Sequence, residues 1–89
     1  MAKIPMKMRV IEWLKDNPCS NIDDIMLALK GEYGSEGQFS KLNFNHMMQA
    51  MKAIGIINNC KVEINEAEKI MVYYSLTDYG IKSMKYIPK

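Results

Sequence analysis

The sequence predicts an α+β domain, mostly α, in which three helices carry a two-stranded β-hairpin and a short closing helix. Three observations support this. Apolar residues recur at helical spacing through three segments of residues 4–55. The period then switches to two over residues 56–76. A Thr-Asp pair restarts helical chemistry at residue 77. At 89 residues the chain is sized for a single domain spanning 1–89, and 48% hydrophobic content is enough to give it one core.

The first helix is read over "IPMKMRVIEWLKDN". Pro5 suits its first turn, Ile4, Met8, Ile11 and Leu14 make a stripe with Val10 and Trp13 beside it, and Asn17-Pro18 stops it. Trp13 reads as core. The second helix opens at "SNIDDIMLALKG", capped by Ser20 or Asn21. Asp23 and Asp24 stand at its positive end, Ile22, Ile25, Met26 and Leu29 share one face, and Gly31 ends it. The glycine-rich "GEYGSEGQFSKLN" reads as a long loop pinned by Tyr33 and Phe39.

The third helix, "NFNHMMQAMKAIG", takes Asn43 as its N-cap, with Ser40 as the alternative. It buries Phe44, Met47, Met48, Met51 and Ile54. Gly55 is expected in a left-handed conformation, with Ile56 folding back on Met51. "IINNCKVEIN" and "KIMVYYSL" alternate as strands around a short "NEAE" connection. Tyr74 and Leu76 should face the core and Tyr73 the solvent. Thr77 should cap the last helix, "DYGIKSMKY", where Gly80 marks a close approach to a neighbouring element.

Net charge is +2, without the strong basic excess of many nucleic-acid binders. Basic and acidic residues number five and four in 1–30, two and two in 31–60, and five and four in 61–89, so no block of like charge forms. Cys19 and Cys60 make no CxxC motif and are expected as reduced, partly buried thiols. With only His46 beside them no usual zinc set is complete, and no metal or cofactor is expected. The N-terminus lacks the apolar core of a signal peptide, and "IMLAL" is too short to span a bilayer. A cytoplasmic protein with no membrane association is expected. The single histidine has no spaced partner, and "GEYGSEG" lacks the lysine of a phosphate-binding loop, so an enzyme is not expected.

Four strings in order resemble the winged helix-turn-helix domains of small bacterial and phage transcriptional regulators, as in the MarR-like, ArsR-like and PadR-like groups. "MRVIEWLKDNP" looks like their first helix and "SNIDDIMLALKG" like the support helix. "FNHMMQAMKAIGII" is similar to the recognition helix, and "MVYYSLTDYG" to the returning wing strand with its Leu-Thr-x-x-Gly ending. The resemblance implies a DNA-binding regulator whose third helix enters a major groove of double-stranded DNA. Asn45, His46 and Gln49 would then face bases, since Asn and Gln can bond adenine bidentately. Lys41, Asn43 and Lys52 around that helix, with Lys61 and Lys69 on the wing, complete the expected contacts. Lys3, Lys7 and Arg9 are candidates for a flanking phosphate.

Tyr79, Ile81, Met84, Tyr86 and Ile87 would form a dimer interface suited to a palindromic site. The long linker and the acidic wing tip "EINEAEK" depart from the family pattern. They keep open a protein-interaction module, such as a phage or mobile-element protein that inhibits a host complex, or an accessory subunit of a nucleoprotein assembly.

Overall fold

A computed structural model describes residues 4–84. The elements are α1 (Met6–Asp16), β1 (Ser20–Asn21), α2 (Ile22–Tyr33), α3 (Lys41–Ala53), β2 (Ile57–Ile64), β3 (Ile70–Leu76) and α4 (Asp78–Ser83). The strands form one antiparallel sheet in the order β1-β3-β2. Among the described residues the fold is thus α+β, with four helices and a three-stranded sheet. The hairpin gains a third strand because Ser20 and Asn21 pair with Tyr74 and Tyr73 before the chain turns into α2. A two-residue strand leaves no periodicity to read, so the sequence shows only the helix cap there.

The core is one cluster. Val10, Ile11 and Leu14 of α1 meet Ile25 and Leu29 of α2, Phe44, Met48 and Met51 of α3, and Ile57 and Tyr74 of the sheet. Trp13 and Met47 are half-buried against it. Ile54, expected on the buried face of α3, is instead 57% exposed, because the helix reaches its C-cap there and the side chain falls outside the packed stripe.

Cap chemistry explains most boundaries. The Asn21 side chain accepts from Asp24 N at 2.7 Å and starts α2. Ser40, not Asn43, caps α3: its Oγ accepts from Asn43 N at 3.2 Å, so the helix begins three residues earlier than that cap would place it. The end of α3 is a Schellman motif, with Ile56 N on Met51 O at 2.9 Å, Gly55 N on Lys52 O at 3.1 Å and Gly55 at φ +87°. Helix α2 runs through Gly31 to Tyr33, whose buried ring donates its hydroxyl to Ile4 O at 2.6 Å. That anchor holds the last turn and shortens the α2–α3 connection to residues 34–40. Phe39 pins this connection by an edge-to-face contact with Phe44 at 5.4 Å.

The cysteines correct the sequence reading, since Cys19 and Cys60 form a disulfide across 41 residues of chain. Neighbouring spacing in sequence could not reveal it, because the sheet alone brings the two together. A loop of that length closed covalently contributes about 2–4 kcal/mol in the chain-entropy account.

Candidate functional site

The expected site residues gather around the exposed side of α3 and the adjoining hairpin. Phe44, Met48 and Met51 fix the inner face of the helix in the core, which turns Leu42, Asn45, His46 and Gln49 outward. Asn45 and Lys41 line a cleft of about 230 Å³ between this helix and the hairpin, with Asn21 and Asp23 on one wall and Ile70, Val72 and Tyr74 on the other.

Gln49 has a partner already. Its Nε2 donates to the Tyr74 hydroxyl at 3.3 Å. Tyr74 is almost fully buried, and burial raises its phenol pKa above the ordinary value of 10.0, a shift that the Gln49 hydrogen bond partly offsets. Asn43 is tied into the start of the helix, where its Nδ2 donates to Gln38 O at 3.3 Å. His46 is exposed.

The lysines divide into two groups. Lys41 Nζ lies 3.2 Å from Asp23 Oδ1. Lys61 Nζ pairs with Glu63 at 2.5 Å and sits 4.7 Å above the Tyr73 ring. Its pKa is raised, chiefly by the hydrogen bond to Glu63 and then by the charge of that carboxylate. Lys52 and Lys69 are exposed and make no ion pair among the described residues. Arg9, a candidate flanking cation, bonds Glu32 at 3.1 Å and lies 3.5 Å from Glu12. Lys7 is exposed, and Lys3 lies outside the described residues.

The hairpin carries a feature that sequence alternation alone left undecided. Val62 pairs with Val72 and Ile64 with Ile70, so these aliphatics share one face with Tyr74. That face is buried only at its base. Val62, Ile70 and Ile64 are 57%, 69% and 71% exposed, because the strands extend beyond the helices that would cover them. The turn beyond is closed by the Asn65 carboxamide, which accepts from Ala67 N and Lys69 N at 2.9 and 3.0 Å.

At the C-terminal side, Thr77 caps α4 by accepting from Gly80 N at 3.0 Å, and its hydroxyl donates toward the carbonyls of Gly55 and Ile56. Tyr79 and Ile81 of α4 are 61% and 50% exposed, while Met84 packs against the core cluster. Tyr86 and Ile87 lie outside the described residues.

This arrangement has a counterpart among solved structures. The chain is similar to the crystal structure of "putative transcriptional regulator TA0346 from Thermoplasma acidophilum", with a TM-score of 0.68 at 18% identity. The match covers 90% of this chain and 73% of the other. At that identity the likeness is one of fold. No family model matches the sequence, and no curated protein matches it. No helix among the described residues is long and apolar enough to cross a membrane.

Proposed function

We propose that this chain is a small DNA-binding transcriptional regulator of winged helix-turn-helix type. In this reading α2 supports α3, α3 enters the major groove, and the β2–β3 hairpin is the wing. Asn45, His46 and Gln49 face base edges. Lys41, Lys52, Lys61 and Lys69 meet phosphates, and Asn43 joins the DNA contacts near the start of the reading helix. A second copy docks through Tyr79 and Ile81 of α4 and Met84 at its C-cap, with Tyr86 and Ile87 beyond, and presents a second α3 to a palindromic site. The site of action is the cytoplasm, with no cofactor and no enzymatic step.

The observation that carries this reading is the exposed polar face of α3 beside the hairpin, in a fold shared with a protein described as a regulator. Its test is a gel-shift assay on DNA upstream of its own gene at low and moderate salt. A specific complex weakened by Asn45→Ala with Gln49→Ala supports it, and equal affinity for random DNA sinks it. Light scattering tests the dimer, which a clean monomer excludes.

The hairpin favours a second reading, a protein-interaction module of the same fold. Its exposed Val62, Ile64 and Ile70 stand among Glu63, Glu66 and Glu68, a mix suited to a protein surface rather than to phosphates. A host protein retained from lysate by the intact chain, and lost with Ile64→Asp, supports that alternative.

A further inference from the structure

We propose that the Cys19–Cys60 disulfide is a reversible, thiol-responsive clamp that sets the seating of the β2–β3 hairpin on the helical body. Cys19 lies one residue before β1, and Cys60 lies within β2, on opposite edges of the sheet. Cys60 falls between Asn59 and Lys61, which pair with Tyr74 and Tyr73 of the central strand, and Cys19 immediately precedes Ser20, which pairs with Tyr74 from the other side. Edge strands flanking a central one are ordinarily roughly 9.5 Å apart, yet the two cysteine Cα atoms are separated by 5.7 Å.

Two backbone irregularities close that gap, and each falls at a cysteine. Cys19 takes a left-handed φ of 62°, and the β2 register skips a residue between Asn59 and Lys61, which makes Cys60 the bulged position. Both features oppose regular strand geometry, so breaking the bond removes what holds them. Cys60 is exposed and Cys19 half-buried, so an incoming thiol has access.

The exchange balances with a monothiol of the glutathione class. Its thiolate attacks Cys60 Sγ, the Cys19–Cys60 bond breaks, and Cys19 leaves as a thiolate that takes up a proton. A second thiol resolves the mixed disulfide, releasing Cys60 as a thiol. Two electrons and two protons have moved, and two thiols have become one external disulfide. Oxidised glutathione reverses each step. The consequence reaches α3, because Tyr74, paired with Asn59 beside the bulge, holds Gln49 through its hydroxyl.

The test equilibrates the wild-type chain across ratios of reduced to oxidised glutathione. Thiol alkylation with mass readout follows the bond, and amide hydrogen exchange follows the backbone. Full, reversible reduction is expected with helical structure retained. Exchange over 57–64 and at Tyr73 and Tyr74 should speed by about tenfold or more, while the core of α3 stays protected. Cys19→Ser and Cys60→Ser should each show the reduced pattern, and the reduced wild type supplies the same readout where a variant fails to fold. A bond that resists excess thiol until the chain unfolds, or a reduced chain with unchanged hairpin exchange, overturns the proposal. A gel shift on both redox forms adds an independent arm. Loss of DNA binding in both forms removes the regulator reading, while the exchange data still decide the clamp.

Discussion

The carbonyl oxygen of Ile56 occupies the space in which a side chain at Gly80 would begin: a Cβ there would lie 2.1 Å from it. The close approach lets Thr77 bond the carbonyls of Gly55 and Ile56 while capping α4, and so joins the end of α3 to the start of α4. Backbone cannot yield as a flexible side chain can. Gly80→Ala should therefore destabilise the domain by about 1–3 kcal/mol, the usual cost of overpacking. Gly31, inside α2 with open space around it, supplies the contrast. Gly31→Ala should stabilise by about 0.5–1 kcal/mol through reduced backbone entropy. Urea midpoints of the two variants check both, and a neutral Gly80→Ala would remove the close-approach argument.

Tyr74 gives the fold an alkaline limit. Burial raises its pKa above 10.0, so the native state retains a proton that the unfolded chain has released. The stability tied to that proton is whole below the unfolded value near 10 and is lost as pH rises through the folded value. Denaturant titrations at rising pH should show stability falling above about pH 10 in the wild type and falling less in Tyr74→Phe. At neutral pH that substitution should cost about 0.5–1.5 kcal/mol for the lost Gln49 bond. Near-ultraviolet tyrosinate absorbance should show one late-ionising phenol in the wild type that is missing from the variant.

What could be read from the sequence was local. The Schellman end at Gly55, the Thr77 cap and the tight site at Gly80 all follow from contacts a few residues apart or from a residue type that only one geometry suits. The contacts that escaped are long-range. Tyr33 bonds Ile4 across 29 residues and extends α2 past Gly31. Ser20 and Asn21 pair with β3, and Cys19 reaches Cys60 across 41 residues. At the candidate site the sequence identified the polar face of α3. It gave no sign that Gln49 would be held by Tyr74, or that Lys41 and Lys61 would stand beside carboxylates. Charge pairing of that kind depends on how separate elements dock, which no spacing rule encodes.

The exposed aliphatic face of the hairpin should contribute little to the fold. Val62, Ile64 and Ile70 have lost little water contact, so replacing all three with threonine removes little burial. The triple variant should cost less than Ile57→Ala alone, which at 1% exposure should lose about 2–5 kcal/mol. Thermal melts decide this. A triple variant that unfolds as readily as Ile57→Ala would mean that the hairpin face is held by packing rather than kept for a partner.

Lys41 and Lys61 make the last prediction, because each stands within ion-pair distance of an acid that a phosphate would have to displace. Asp23 lies 3.2 Å from Lys41, and Glu63 holds Lys61. Both pairs are solvent-exposed, so they contribute little to stability. Their larger effect is on an incoming polyanion, since each neutralised lysine is a phosphate contact weakened. Under the regulator reading the wild type should therefore bind DNA with a shallow dependence on salt. Asp23→Asn and Glu63→Gln should each bind more tightly at low salt without changing the melting temperature appreciably. Each should also steepen the plot of log K against log salt by about 0.9, one additional phosphate per freed lysine. Fluorescence anisotropy on labelled duplex across a salt series measures the slope directly. If neither substitution steepens it, Lys41 and Lys61 do not face DNA, and the hairpin surface is better assigned to a protein partner.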